Sequence, residues 1–298
     1  MASAGLSAEN LPALFRAADE SSTKGQSLYR FGTAAILLLL LVAGLAGFVS
    51  TDGSTDWGGV SAAVAFGCSL LVQAELARRR PERAWYEGRA LAESAKSLGW
   101  QYSVGGGRYA RDSRTEHEIQ NAFVGDLKAL LDDIREARPI EVPADGMQVT
   151  EEMQRLRAQP LDDRRTAYLS ARVKEQREWY ATKAAWNRNR AKKWLAAILL
   201  IQAAGLVAAV VKAAGLLEVT LLGVASGLAA SAIAWVQLND HVQLDEAYSL
   251  ASHDLSFSEA SGAGIDDEEG WARFVVDTEH AISREHSMWR AGRSVRPS

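Results

Sequence analysis

The chain has 298 residues, of which 48% are hydrophobic and 23% charged, and its formal net charge is −4. This mildly acidic balance gives no support to a general nucleic-acid-binding role, because proteins of that class carry an excess of basic residues. The single cysteine, Cys68, excludes an intramolecular disulfide and a metal cage built from thiolates of this chain.

Four uncharged, apolar stretches dominate the sequence, two near its N-terminus and two near its C-terminus. Each has roughly 18 to 21 residues, and at about 1.5 Å per residue that length crosses a hydrocarbon core of about 30 Å. The core of a soluble helical bundle is the alternative, but soluble helices rarely stay uncharged for so long. We therefore predict a membrane protein with spans at residues 31–49, 57–74, 194–211 and 219–238.

Short turns join these spans in pairs, at residues 50–56 and 212–218. Each pair is therefore predicted to be a helical hairpin. The remaining sequence is polar and reads as helical, so the predicted fold class is an all-α membrane protein: two transmembrane hairpins, with long cytoplasmic helices that form a helical bundle.

Basic residues flank both hairpins on one side, after the second span and before the third, whereas the first turn carries only acidic charge. By the positive-inside rule, both termini and the soluble helices are predicted to be cytoplasmic, in a multi-pass protein of the inner membrane. Lys212 in the second turn points the other way. The residues predicted to contact anionic headgroups, at about 1 kcal/mol each, are Arg78, Arg79, Arg80, Arg83, Arg190, Lys192 and Lys193.

A helix is predicted over residues 82–102, where it continues the second span outward with a kink at Pro81. The glycine run at 105–107 ends this helix and is predicted to be a flexible break. A dinucleotide-binding loop is the other interpretation of that run. No strand precedes it and the following residues lack the fingerprint, so we disfavour this interpretation.

Three more helices follow in the polar segments. Residues 116–137 carry apolar side chains at three- and four-residue steps, a stripe that needs a partner helix. A second helix, with Asp162 or Asp163 as its N-cap, runs without a proline into the third span and exceeds about 60 Å. The last helix opens near residues 266–269. Each half thus has a helix that enters the membrane, a hairpin and a helix that leaves it, an organisation that favours a pseudo-symmetric bundle.

Polar side chains within the spans are candidates for a pore lining or for hydrogen bonds between helices. They are Ser69, Gln73, Gln202, Ser226, Ser231 and Gln237. For Gln73 and Gln202 we favour interhelical hydrogen bonds, worth under about 2 kcal/mol. Glu75 lies one turn before Arg78 and Arg79 and is predicted to form a surface ion pair with them.

Gly223 and Gly227 form a GxxxG match in the fourth span, which lets helix backbones approach closely. Dimerisation through this motif and packing against the third span within one chain are both open.

The tryptophans form two groups by position. Trp57, Trp194 and Trp235 lie near span ends and are predicted to be interface anchors. The others lie in predicted cytoplasmic helices, where we expect them to pack helices together rather than to stack on a nucleotide. These are Trp85, Trp100, Trp179, Trp186, Trp271 and Trp289.

The sequence contains no strong residue pattern typical of a catalytic or metal site. His280 and His286 are six residues apart and point to different helix faces, unlike the histidines of an HExxH motif. The acidic run at residues 266–269 is typical of a solvated helix start. Without a GxSxG motif, a Walker loop or a nucleophile beside a base, we expect no catalytic, cofactor or metal site and a protein that is not an enzyme.

Residues 82–102 resemble the signature helix of the SLATT superfamily, two-span domains associated with bacterial nucleotide-signalling conflict systems. Near the C-terminus, residues 282–290 resemble the end of a second SLATT variant. The signature positions in the first helix are Trp85, Tyr86, Arg89, Glu93, Lys96, Trp100 and Tyr102. The resemblance implies a tandem of two SLATT-like domains, residues 8–158 and 162–293.

The resemblance also implies a function. Hairpins of this superfamily are thought to assemble into pores or otherwise to breach the inner membrane when a partner sensor signals infection. It implies as partners the lipid bilayer, further copies of the chain and a separately encoded nucleotide-signalling sensor. From the charge balance and the missing motifs we expect no nucleic acid and no cofactor. The alternative is a non-lytic membrane scaffold or sensor whose cytoplasmic helices dock a partner protein.

Overall fold

The computed structural model describes residues 5–47, 55–111, 114–135, 142–143, 146–216 and 222–294, and their side chains apart from those of 134–135 and 284–294. Within these ranges the chain is helical and contains no strand, which confirms the predicted all-α fold. The α-helices are α1 (Ala13–Ala46), α2 (Trp57–Arg79), α3 (Pro81–Val104), α4 (Glu116–Arg135), α5 (Glu151–Ala158), α6 (Leu161–Tyr168), α7 (Glu175–Ala213), α8 (Leu222–Asn239), α9 (His241–Gly262) and α10 (Glu268–Ser294). A π-helical segment, Leu169–Lys174, joins α6 to α7.

Four helical stretches of the described chain are long and apolar enough to cross a membrane. They contain α1, α2, α7 and α8 and so confirm the four predicted spans. Residues 48–49 and 219–221, at the ends of the first and fourth predicted spans, lie outside the described residues, as do 50–54 and 217–218 of the two predicted turns. The chain is therefore a multi-pass membrane protein.

The chain divides into two compact units. One, which we call the polar unit, comprises Met1–Gln26, Glu82–Ala184 and Glu246–Ser298. The other, the span unit, comprises Ser27–Pro81 and Ala185–Asp245. Each unit therefore combines segments from both halves of the sequence.

Glycines lie at the close helix contacts of the span unit. At Gly205 of α7, a Cβ atom would lie 2.8 Å from the Cβ of Ala225, so α7 and α8 approach closely within the second hairpin. In the first hairpin, Gly32 of α1 lies against the side chain of Leu76 in α2. The Asp56 carboxylate accepts a hydrogen bond from the Gly58 N–H at 3.0 Å, and this N-cap begins α2.

A left-handed residue follows the second span of each hairpin. Arg80 (φ 46°) separates α2 from α3, and Asp240 (φ 51°) separates α8 from α9. They are the non-glycine residues of the described chain with positive φ. The predicted kink at Pro81 is thus a break one residue earlier, and Pro81 opens α3, a position that suits its fixed φ and missing N–H. The two halves share this joint, which sequence identity does not reveal.

The predicted long helix into the third span is confirmed, because α6, the π-helical segment and α7 form one helical stretch, Leu161–Ala213. Its predicted N-cap is wrong. Pro160 occupies the N-cap position, and Asp162 and Asp163 lie in the first turn, where their charges still favour the helix dipole.

Aromatic side chains form the core of the polar unit. The Tyr168 ring meets Trp100 of α3 and Trp271 of α10 edge-on, at centroid distances of 5.8 and 5.6 Å. Of the predicted stripe on α4, Ile119, Phe123 and Leu127 are buried, and Phe123 is stacked on Tyr102 at 4.6 Å.

The predicted packing role of the tryptophans is confirmed for Trp85, Trp100 and Trp271, which are buried. Trp179 and Trp186 are exposed but contact aromatic neighbours, Tyr248 and His241 respectively. The Trp289 side chain lies outside the described residues.

Candidate functional site

The signature helix, α3, packs its backbone directly against α1. A Cβ atom at Gly88 would lie 2.9 Å from both the Ala18 carbonyl oxygen and the Ser22 nitrogen. One turn earlier, the Ser22 hydroxyl donates to the Trp85 carbonyl at 3.0 Å. Because only glycine allows this approach, the signature helix is fixed in place by α1 rather than presented to solvent.

Two buried arginines cap the C-terminal end of α3, and we call them the arginine cap. Arg157 donates from Nη1 to the carbonyls of Tyr102 and Tyr109, each at 2.8 Å. Arg164 donates from Nη1 to the Val104 carbonyl at 2.6 Å. The last carbonyls of a helix lack partners within it and carry the negative end of its dipole, so guanidinium groups suit this position.

Acidic residues from other helices neutralise the arginine cap. Arg157 Nε lies 2.6 Å from Glu116 Oε2 of α4, and Arg164 pairs with Glu268 at the start of α10. Trp271 adds a third donor, because its Nε1–H donates to the Val104 carbonyl at 2.8 Å. The cap therefore joins α3 to elements of the second half of the sequence.

The glycine run after α3 is a packed turn. Gly105 and Gly107 have positive φ, 78° and 53°. A Cβ atom at Gly105 would lie 2.7 Å from Arg164 Nη1, and one at Gly106 would lie 2.4 Å from Val275 Cγ1. The predicted helix end is confirmed, but the predicted flexible break is wrong, because the glycines are needed where α10 and Arg164 press against the turn.

A buried ion pair lies at the π-helical segment. Arg172 donates to both carboxylate oxygens of Glu279 in α10, at 2.9 and 2.7 Å, and Tyr168 donates its hydroxyl to Glu279 at 2.9 Å. Burial alone would lower the pKa of Arg172, but the charge and hydrogen bonds of Glu279 raise it above its usual value. The Arg172 guanidinium is therefore charged.

Lys96 of the signature helix lies near this pair. Burial and the positive charge of Arg172 lower the pKa of Lys96. The predicted signature positions divide by burial: Trp85, Trp100 and Tyr102 are buried, whereas Tyr86, Arg89, Glu93 and Lys96 are half-buried.

Sequence reasoning missed these buried arginines, since arginines usually lie at the surface. One signal was present. Arg164, Tyr168 and Arg172 recur at four-residue steps, which places them on one helix face together with an aromatic residue.

The polar residues predicted within the spans divide by exposure. Ser69 is buried and its hydroxyl donates to the Phe66 carbonyl at 2.8 Å, within its own helix. Ser231 is half-buried. Exposed on the surface of the span unit are Gln73, Gln202, Ser226 and Gln237.

The interhelical hydrogen bonds that we predicted for Gln73 and Gln202 are absent from the part of the chain that the structure describes. Neither amide has a hydrogen-bond partner among the described residues. The reason is their angular position: on α7 the face that packs against the other helices carries Ile201 and Gly205, whereas Gln202 points outward.

Gly227 lies on α8 with its nearest side-chain neighbour in the first span, Leu41 Cδ2, at 3.9 Å from the position of a Cβ atom. The contact between α8 and the third span is made instead by Ala225 with Gly205. Gly223 is exposed. Dimerisation through Gly223 and Gly227 stays a prediction.

The predicted surface ion pair of Glu75 is confirmed. Arg78 donates to it at 2.8 and 2.9 Å, and Arg79 also bonds to it. These hydrogen bonds from Arg78 and Arg79 lower the pKa of Glu75 to about 2. All seven residues predicted to contact headgroups are exposed: Arg78, Arg79, Arg80, Arg83, Arg190, Lys192 and Lys193.

The second hairpin has a polar contact layer next to its spans. Arg188 forms a two-point ion pair with Asp245, with both N–O distances 3.0 Å. His241 Nδ1 lies 2.8 Å from Asn187 Oδ1, and burial together with the charge of Arg30 lowers the pKa of His241. Of the predicted interface anchors, Trp57 is exposed and Trp194 and Trp235 are half-buried.

The described part of the chain contains no candidate metal site, because no group of three or more His, Cys, Asp or Glu side chains converges there. A groove of about 660 Å³ beside the glycine turn is lined by side chains of both signs, among them Arg111, Glu269 and Asp277. These exposed groups have no nucleophile and base in contact, so the groove offers no catalytic constellation.

Two family models match the chain, and together they cover most of it. Residues 12–165 match the model described as SMODS and SLOG-associating 2TM effector domain 3. Residues 168–289 match the model described as SMODS and SLOG-associating 2TM effector domain 1. No curated protein and no solved structure in the comparisons matches the chain.

Proposed function

Because the chain belongs to the SLATT superfamily, as a tandem of two SMODS and SLOG-associating 2TM effector domains, we propose that it is a membrane-embedded effector of a bacterial conflict or antiphage defence system. The matches confirm the resemblance seen at residues 82–102 and 282–290. In this proposal the protein oligomerises in the inner membrane and permeabilises it when triggered.

The unpaired Gln202 amide on the surface of the span unit carries the proposal. Gln202 is exposed in the middle of an uncharged span, whereas the exposed Gln73 and Gln237 each lie one residue from the end of a span. An amide that faces hydrocarbon without a partner costs several kcal/mol, so such positions favour contacts beyond a single chain or with water in a pore. Helices that only anchor a protein in the bilayer need no exposed amide within a span.

The exposed cations after α2 and before the third span support the orientation. Four of them, at residues 78–80 and 83, follow the second span, and Arg190, Lys192 and Lys193 precede the third. We propose that they contact anionic headgroups of the inner leaflet, which places the polar unit and both termini in the cytoplasm. There the polar unit would meet a separately encoded nucleotide-signalling sensor.

The protein is not an enzyme in this proposal and needs no cofactor or nucleic acid. Its activity is a change of state in the bilayer. The arrangement that supports this role is the combination of a tightly packed polar unit with spans that expose polar groups.

Induced expression in bacteria that carry a membrane-potential dye tests the proposal, with and without phage challenge. We expect loss of potential and growth arrest. If potential and growth stay intact while the protein is present in the membrane fraction, the proposal fails and the non-lytic scaffold that docks a partner protein replaces it.

A pair of glycine variants provides the matched control. Gly205→Leu introduces a side chain where Ala225 leaves no room, whereas a Cβ atom at Gly67 meets no atom within 4 Å. Both changes add the same apolar group to a span. We expect Gly205→Leu to abolish depolarisation and Gly67→Leu to preserve it, and equal effects would speak against an activity that depends on the packing of the hairpin.

A further inference from the structure

The third span exposes a regular seam of side chains on α7. Leu195, Leu199, Gln202 and Leu206 are exposed and follow one another at steps of four, three and four residues, and the half-buried Ala209 continues the spacing. This is the seven-residue spacing by which one helix packs along another. The three leucines are 59%, 55% and 65% exposed, so the seam is open in the single chain.

The contacts within the chain use a different face of the same helix. Gly205 lies against Ala225 of α8, and Ile198 and Ile201 are half-buried on the same side. The seam is therefore left over after both hairpins have packed.

Gln202 lies at the centre of the span in sequence. It is eight residues from Trp194 and nine from Val211, which is roughly 12 and 14 Å along the helix axis. Its side chain is shorter than the lysine and arginine side chains that reach the interface from within a membrane. With no partner among the described residues, its amide needs one from outside the chain.

We propose that this seam is an interface with a second copy of the chain, in which α7 packs against the α7 of the neighbour and the two Gln202 amides bond to each other. The proposal rests on the oligomerisation included in the proposed function and gives it a surface. An amide carries both donors and an acceptor, so it is complementary to an identical amide, and a seven-residue seam is complementary to its own copy.

The leucines that flank Gln202 favour a helix interface over a pore lining. A water-filled lumen would also satisfy Gln202, but the residues one turn above and below it on the same face are Leu199 and Leu206. The selectivity filters of ion channels are rings of backbone carbonyls or charged side chains, whereas rings of hydrophobic side chains form constrictions that exclude water. A single amide between leucines is instead the pattern that sets register and partner number in packed helices.

Cysteine cross-linking in intact membranes tests the interface. Cys68 is the only cysteine, so Cys68→Ser gives a cysteine-free background in the full chain. Single cysteines at Leu199 and Leu206 sample the seam and keep Gln202. Leu200 and Val207 are matched off-seam controls, 71% and 61% exposed at the same depths.

With a membrane-permeant oxidant we expect disulfide-linked dimers from Leu199→Cys and Leu206→Cys and none from Leu200→Cys or Val207→Cys. Equal cross-linking at all four positions, or none at any, overturns the proposal. Modification of the seam cysteines by a water-soluble thiol reagent also overturns it, because that result identifies a lumen.

A second pair of changes tests the amide itself. In the Leu206→Cys background, Gln202→Leu should lower cross-linking by about fivefold, the effect of a lost interhelical hydrogen bond in a membrane, whereas Gln202→Asn should preserve it. Unchanged cross-linking in Gln202→Leu contradicts the amide contact.

The seam and the proposed function can fail separately. Specific cross-linking in cells that keep their potential would leave the interface standing and remove the permeabilising activity. Depolarisation without cross-linking at the seam would overturn the interface and leave the permeabilising activity standing.

Discussion

Arg172 and Glu279 form a two-point ion pair that is 2% and 0% exposed and joins residues 107 positions apart in the sequence. Tyr168 completes it with a hydrogen bond to the same carboxylate. The pair ties the π-helical segment before the third span to α10.

Removal of one partner of this pair should be costly. Arg172→Met leaves the Glu279 carboxylate buried without its cation, and we expect the free energy of unfolding to fall by about 3–5 kcal/mol. The double variant Arg172→Met, Glu279→Leu should lose less than either single change, because no uncompensated charge stays behind. Urea unfolding in detergent, followed by circular dichroism, measures each value.

The control for this prediction is Arg155→Met. Arg155 pairs with Glu152 at 2.5 Å, but on the surface of α5, so its loss should cost under about 1 kcal/mol. Similar losses for Arg155→Met and Arg172→Met would contradict the role assigned to burial.

The close approach of α1 and α3 gives a prediction at Gly88. Gly88→Ala places a methyl group 2.9 Å from backbone atoms of α1, which cannot rotate away, so we expect a loss of about 1–3 kcal/mol. At Gly125 of α4 a Cβ atom meets nothing within 4 Å, and Gly125→Ala should stabilise by about 0.5–1 kcal/mol through helix propensity. Urea unfolding measures both variants. A change of the same sign in the free energy of unfolding for both would contradict the close contact between α1 and α3.

The left-handed joint at Asp240 predicts an effect that depends on side-chain shape. Asp240→Asn should leave stability unchanged, because asparagine tolerates positive φ. Asp240→Val should cost about 1–2 kcal/mol, because a branched Cβ clashes in that conformation. At Arg80, which also has a positive φ, we likewise expect the asparagine variant to be more stable than the valine variant. A valine variant as stable as the parent protein would mean that the joint has become helical.

Sequence patterns predicted those parts of the fold that depend on local information. The spans follow from uninterrupted apolar runs, and the buried stripe of α4 follows from the four-residue steps of Ile119, Phe123 and Leu127. The break between α2 and α3 was predicted at Pro81, where the sequence carries the signal, but Arg80 has the left-handed backbone. No propensity singles out an arginine for that conformation.

The arginine cap and the packed glycine turn could not be predicted, because their partners are distant in the sequence. Arg164 bonds to Val104, 60 residues away, and to Glu268, 104 residues away. A charged residue and a glycine run both read locally as surface features. Their roles appear only when α3, α6 and α10 meet, and the exposure of Gln202 likewise depends on which face of α7 the other spans cover.

The shared acceptor at the end of α3 gives a prediction about coupling. Both Arg164 and Trp271 donate to the Val104 carbonyl, so either donor alone keeps that buried oxygen satisfied. Trp271→Phe should cost about 1 kcal/mol, and Arg164→Met more, because it also leaves Glu268 without its cation. The double variant leaves the carbonyl without a donor and should cost more than the sum, by about 0.5–3 kcal/mol in a double-mutant cycle. If the two costs simply add, the donors do not substitute for each other, and the assignment of a common acceptor is wrong.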